Sequence, residues 1–96
     1  MNSSDVDQAT AYVRKPDLNA VRMDGELVMM GHEQGEYYGL RDVAASLWEH
    51  LAEPRTLDDL CGLVAEEYDV TPAECRADNL AFLNQLLDRG LIQPVG

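Results

Sequence analysis

Residues 35–51 allow few folds, because a strand and a helix meet within them with hardly a residue between. Tyr37 and Tyr38 favour a pleated, half-buried surface and stand between Gly35 and Gly39, which predicts a strand. From Val43 onward the apolar residues fall at Val43, Leu47 and Leu51, with Ala44 and Trp48 one step round, a single stripe at the helical period. Asp42 is the expected N-cap, its carboxylate accepting from the orphan amides of the first turn. An aromatic strand therefore feeds straight into a helix whose anchor is Trp48, the single tryptophan of the chain.

The residues before this junction predict two further strands. Ala20-Val21-Arg22-Met23 and Glu26-Leu27-Val28-Met29-Met30 flank Asp24-Gly25, a strong hairpin signal because both central residues of the favoured turn need positive φ. Residues 32–35 make the next reversal into Glu36, Tyr37, Tyr38, Gly39 and Leu40. The result is a three-stranded antiparallel meander. Its outer strands are edges, so the tyrosine strand is paired on one side and open on the other. Residues 1–19 read as a flexible N-terminal tail, polar and aperiodic over the first ten, in which residues 11–14 are either a short strand or more tail. Residues 20–96 form the one domain that a chain of this length supports.

Two more helices follow. Pro54 ends the first, and Thr56 with Asp59 starts a second whose Leu57, Leu60, Cys61, Val64 and Tyr68 form a core-facing stripe. Thr71-Pro72-Ala73-Glu74 combines a cap, a proline at the first helical position and a glutamate three after the cap, so a third helix runs to Arg89 and closes at Gly90. Residues 91–95 either form a terminal strand or simply pack down. The third helix is apolar over more of its circumference than one core requires. Leu80, Leu83 and Leu87 lie together, while Cys75, Phe82 and Leu86 with Asn79 lie on an adjoining arc; one part can face the other two helices, and the other needs a second partner: the sheet, a dimer mate or a ligand. The fold class is α+β, winged helix-turn-helix-like, a three-stranded meander followed by a three-helix bundle.

Seven Lys plus Arg stand against eighteen Asp plus Glu, a net charge of −11. Such a field repels phosphate backbones and anionic lipid and favours basic or neutral partners. No apolar run approaches the ~20 residues of a membrane span and the N-terminus lacks the blocks of a signal peptide, so a cytoplasmic protein is expected. Cys61 and Cys75 are expected to be reduced thiols packed as small hydrophobes. Catalysis finds little support. His32 and His50 have no nucleophile at a recognisable spacing, Glu66 and Glu67 point about 100° apart, and neither a cofactor loop nor a set of metal ligands is visible. A winged-helix DNA regulator would need more positive charge than Arg76 and Arg89 supply beside Asp78 and Asp88. A homodimeric interaction module, burying its spare edge against itself, is the more serious alternative.

Five segments in order, Gly-Glu-Tyr-Tyr-Gly-Leu, Ala-x-x-Leu-Trp-Glu-x-Leu, Pro-Arg-Thr-Leu-Asp-Asp-Leu, Glu-Tyr-Asp-Val and Asp-x-Leu-Ala-Phe-Leu-x-x-Leu-x-x-Arg-Gly-Leu-Ile, resemble the PqqD-like proteins over about residues 20–95. These are the recognition elements of ribosomally made, post-translationally modified peptides, and the closest resemblance is to the stand-alone members of lasso peptide clusters. Arg41 departs from the family, which often has Asn there. The resemblance implies a non-catalytic, cofactor-free domain that binds a precursor's leader peptide by strand addition. The leader then lies between the third strand (Glu36, Tyr37, Tyr38, Gly39, Leu40) and the third helix (Cys75, Asp78, Asn79, Phe82, Leu86), with Met30 nearby. The partners implied are a cysteine-protease-like leader peptidase and an ATP-dependent cyclase, with this protein a monomer or weak dimer.

Overall fold

The computed structural model describes residues 6–16, 18, 20–30 and 37–95, with Met30 described only as a strand position. The elements are β1 (Ala11–Arg14), β2 (Ala20–Met23), β3 (Glu26–Met30), β4 (Tyr37–Leu40), α1 (Asp42–His50), α2 (Leu57–Glu67), α3 (Pro72–Asp88) and β5 (Ile92–Val95). The reversal expected at residues 32–35 and the edge residue Glu36 lie outside the described residues.

Strands β2, β3 and β4 form an antiparallel sheet in that order. Asp24 and Gly25 both take positive φ, 51° and 79°, the geometry the hairpin needs. Met29 pairs with Tyr38 and Leu27 with Leu40, and Leu27, Met29 and Leu40 are buried. Because side chains alternate along a strand, the other face carries Val21 and Met23, both exposed.

At the strand-to-helix junction the structure corrects one expectation. Asp42 is not the N-cap. It is the first residue of α1 and has φ 52°, while the cap position belongs to Arg41, which is extended and makes no side-chain cap bond. With no loop to spare, the chain turns within one left-handed residue, and Asp is among the few non-glycine types that tolerate it. The Arg41 guanidinium instead lies 3.5 Å from the Glu26 carboxylate, across the sheet edge.

The other helix starts follow their signals. Thr56 and Asp59 form a reciprocal capping box, with bonds of 3.1 and 3.0 Å. Thr71 Oγ1 accepts from the Glu74 amide at 3.2 Å, but the Glu74 side chain does not complete the box. Gly90, at φ 72°, closes α3, and the Leu91 amide donates back to the Leu86 carbonyl at 2.9 Å.

Both alternatives left open at the chain ends resolve to strands. β1 pairs antiparallel with β5, Ala11 opposite Val95 and Arg14 opposite Ile92, as a second, two-stranded sheet. The other side of β1 is tied to the α1–α2 connection: Tyr12 and Arg55 exchange bonds of 2.8 and 2.9 Å, and the Arg14 amide donates to the Leu51 carbonyl at 2.9 Å. Tyr12 is buried in the common core. Residues 6–10, where composition predicts mobility, lie along α3, with the Val6 amide donating to Asn84 Oδ1 at 2.7 Å and Arg76 Nη2 to Gln8 Oε1 at 2.6 Å.

One core serves all of these elements. Trp48, Leu47, Leu51, Leu57, Leu60 and Leu83 are sealed from solvent, each such side chain contributing on the order of 1.5–3 kcal/mol by leaving water. Trp48 is structural, as its stripe position predicts: Arg14 sits 5.6 Å over its ring and donates to its carbonyl at 3.3 Å.

Candidate functional site

The sheet ends at β4. Its one strand neighbour is β3, and among the described strands none pairs with its other side. Alongside that edge runs a groove of about 270 Å³, walled by Tyr37, Tyr38, Gly39 and Leu40 from the strand, by Phe82, Gln85 and Leu86 from the C-terminal half of α3 and by its C-cap Arg89. Its floor is apolar, with Leu40 and Leu86 both buried, and its rim is aromatic. The two tyrosines divide as the strand period requires. Tyr38 is half-buried with the Arg89 guanidinium 4.9 Å from its ring centre, whereas Tyr37 is 67 % exposed.

A second cavity, of about 410 Å³, opens between the three helices. Val43, Ala44 and Leu47 of α1 form one side, Val64, Tyr68 and Val70 another, and α3 supplies Glu74, Cys75, Asp78, Asn79 and Phe82. Phe82 lines both spaces and is the partition between them. The spacing of 75, 78, 79, 82, 85, 86 and 89 is a single helical face, so α3 presents one continuous strip to the two cavities.

The structure thus divides the predicted helix wall in two. Phe82 and Leu86 stand beside β4, while Cys75, Asp78 and Asn79 lie beyond Phe82 in the second cavity. Cys75, Asn79 and Leu86 are also more buried than an arc awaiting an outside partner would be, because α3 packs closely on α2. The Met30 side chain and Glu36 lie outside the described residues. Gln85 and Arg89 were missed. The same three- and four-residue spacing that selected Phe82 and Leu86 continues to them, but the expected wall stops at Leu86, where the apolar residues of that arc end.

Polar groups at the base of the second cavity are arranged around two reduced, buried thiols. Burial pushes the Cys61 thiol above its ordinary 9.0, opposed by Asn79, whose Nδ2 donates to Cys61 Sγ at 3.6 Å. The Cys75 thiol is directed at the carbonyls of Pro72 and Cys61, 3.5 and 3.9 Å away. At the mouth, Glu74 and Asp78 are exposed and have no cationic partner among the described residues. The nearby Arg76 is held by Asp58, which raises its pKa. Among the described residues no cluster of His, Cys, Asp and Glu could hold a metal ion, and no helix is long and apolar enough to cross a membrane.

A three-stranded antiparallel sheet joined to three helices, with an open edge beside the last helix, defines an α+β domain of a known kind. The chain belongs to the PqqD family: the family described as "Coenzyme PQQ synthesis protein D (PqqD)" matches residues 26–92. No curated sequence matches the chain. The solved structure "Lasso peptide synthetase B1 complexed with the leader peptide" has a TM-score of 0.72 at 24 % identity, covering 86 % of this chain and 98 % of its own. "TbiB1 in Complex with the TbiA(beta) Leader Peptide" has a TM-score of 0.73 at 23 % identity, with coverages of 88 % and 98 %. The PqqD truncation of Methylobacterium extorquens PqqCD, solved by NMR as a stand-alone recognition element for ribosomally synthesised, modified peptides, reaches 0.77 at 15 % identity, with coverages of 96 % and 99 %. At these identities the likeness is one of fold.

Proposed function

We propose that this protein binds the leader peptide of a ribosomally synthesised precursor of the lasso peptide class, by adding it as a strand to β4, and delivers it to a separate leader peptidase. The observation that carries this reading is that β4, at the end of its sheet, pairs with β3 alone among the described strands and lies beside a groove floored by Leu40 and Leu86. Main-chain bonds to the free edge supply affinity, and alternate side chains of the added strand fall into the groove and supply specificity. Two structural neighbours, each a complex with a leader peptide, support the same choice of ligand.

The chain's part is holding, with no chemistry of its own. A leader anchored here places its core peptide at an effective concentration on the order of mM near any enzyme docked on the same protein. The peptidase is expected to be cysteine-protease-like and to be followed by an ATP-dependent cyclase, all in the cytoplasm. The winged-helix-like arrangement here serves a peptide, since a net charge of −11 is the wrong sign for a duplex.

Fluorescence anisotropy with a labelled synthetic leader tests the proposal. Of Tyr38 and Gly39, one turns its amide to β3 and the other to the open edge, so Tyr38→Pro and Gly39→Pro are made separately. The edge-facing replacement is expected to weaken binding about tenfold without unfolding the protein. Wild-type affinity in both folded variants would remove strand addition.

A further inference from the structure

We propose that the cavity between the three helices is a pocket for a basic side chain, and that it reads an arginine or lysine in the peptide bound along β4. The inference rests on the leader-binding reading and names one feature of the peptide that reading leaves open.

The cavity's charged groups, Glu74 and Asp78, are both acceptors, and most of its other polar groups are already engaged. The Tyr68 hydroxyl is engaged with Ser46 Oγ at 3.2 Å, the Cys75 thiol with the carbonyls of Pro72 and Cys61, and Asn79 Nδ2 with Cys61 Sγ. Beside the second N–H of Asn79, what remains is three acceptors: Asn79 Oδ1 and the carboxylates of Glu74 and Asp78. Asn79 is 1 % exposed, and among the described residues its Oδ1 meets no donor. Among the described residues no fully enclosed side-chain N or O lacks a partner, so this oxygen keeps some accessible surface on a residue that lines the cavity. Glu74 occupies the position from which it would close the capping box of α3, yet its side chain lines the cavity mouth, one helical turn from Asp78.

An occupant must meet these acceptors and the apolar walls together. A purely apolar side chain would cover Asn79 Oδ1 and give it no donor, which costs free energy. A carboxylate would face two like charges and a net −11. A basic side chain satisfies both demands. Its methylene stem lies along Val43, Val70 and Phe82, and its N–H groups reach Asn79 Oδ1 and the two carboxylates, arginine best because its donors form a planar fork. The Phe82 partition supplies the route, since a peptide in the β4 groove meets this cavity on the far side of that ring.

The test is an NMR titration of the labelled full chain with N-acetyl-argininamide, using N-acetyl-citrullinamide as an uncharged probe of equal length. The arginine probe should shift the Asn79 side-chain amide and the Val70 methyls saturably, with citrulline several-fold weaker. Replacing Glu74→Gln and Asp78→Asn should each weaken it about two- to fivefold. Shifts elsewhere only, or equal responses to the two probes, would overturn the pocket. The labelled leader separates this from the parent reading. A leader that binds in a β4-dependent way but keeps its affinity when its arginines and lysines become citrulline and glutamine overturns the pocket alone. A leader that does not bind overturns the delivery function, whatever the small probes do.

Discussion

Asp42 shows how one residue type can serve two backbone roles. Short polar side chains are favoured both at helix caps and in the left-handed region, so the sequence at the junction suits either, and the cap is the commoner role. The absence of a loop decides the matter: β4 ends at Leu40, Arg41 is extended, and the turn into α1 falls on Asp42 at φ 52°. A β-branched residue there pays the left-handed cost that glycine avoids. Asp42→Val should lower stability to urea by about 1–2 kcal/mol, while Asp42→Gly should match or exceed the wild type. Equal stability of all three would mean that the junction turns elsewhere.

Among the elements, those announced by local chemistry were readable and those made by distant pairing were not. Asp24-Gly25 declares the β2–β3 hairpin, and the Thr56 and Thr71 caps declare α2 and α3. The β1–β5 ladder joins segments about eighty residues apart, and four-residue strands carry too short a pattern to announce a partner. The site follows the same division. The open edge of β4 was legible from strand order, and Phe82 and Leu86 from helical period. The separation of Cys75, Asp78 and Asn79 into their own cavity depends on how closely α3 packs on α2, which no local pattern encodes. Because β1 seals the core through Tyr12, Tyr12→Ala should cost about 3–5 kcal/mol in chemical denaturation, as an emptied aromatic site does. A loss below about 1 kcal/mol would make β1 an ornament on a fold that stands without it.

At the scale of the molecule, charge sets the terms of encounter. With net −11, and with Glu74 and Asp78 lacking a cationic partner among the described residues, a basic peptide should be drawn in by the field before it touches the groove. Its association rate should fall steeply between low and physiological salt, while dissociation, which the proposed strand addition assigns to main-chain pairing and apolar contact, should change little. Stopped-flow mixing across a salt series measures both. A flat association rate would leave the acidic surface with no part in capture. The clasp of β1 and β5 has a topological consequence as well. Since Ala11 lies opposite Val95, a short bridge could join these two strand ends and the polypeptide could be reopened at the Asp24-Gly25 bend, giving a rewired chain with the same strand and helix arrangement.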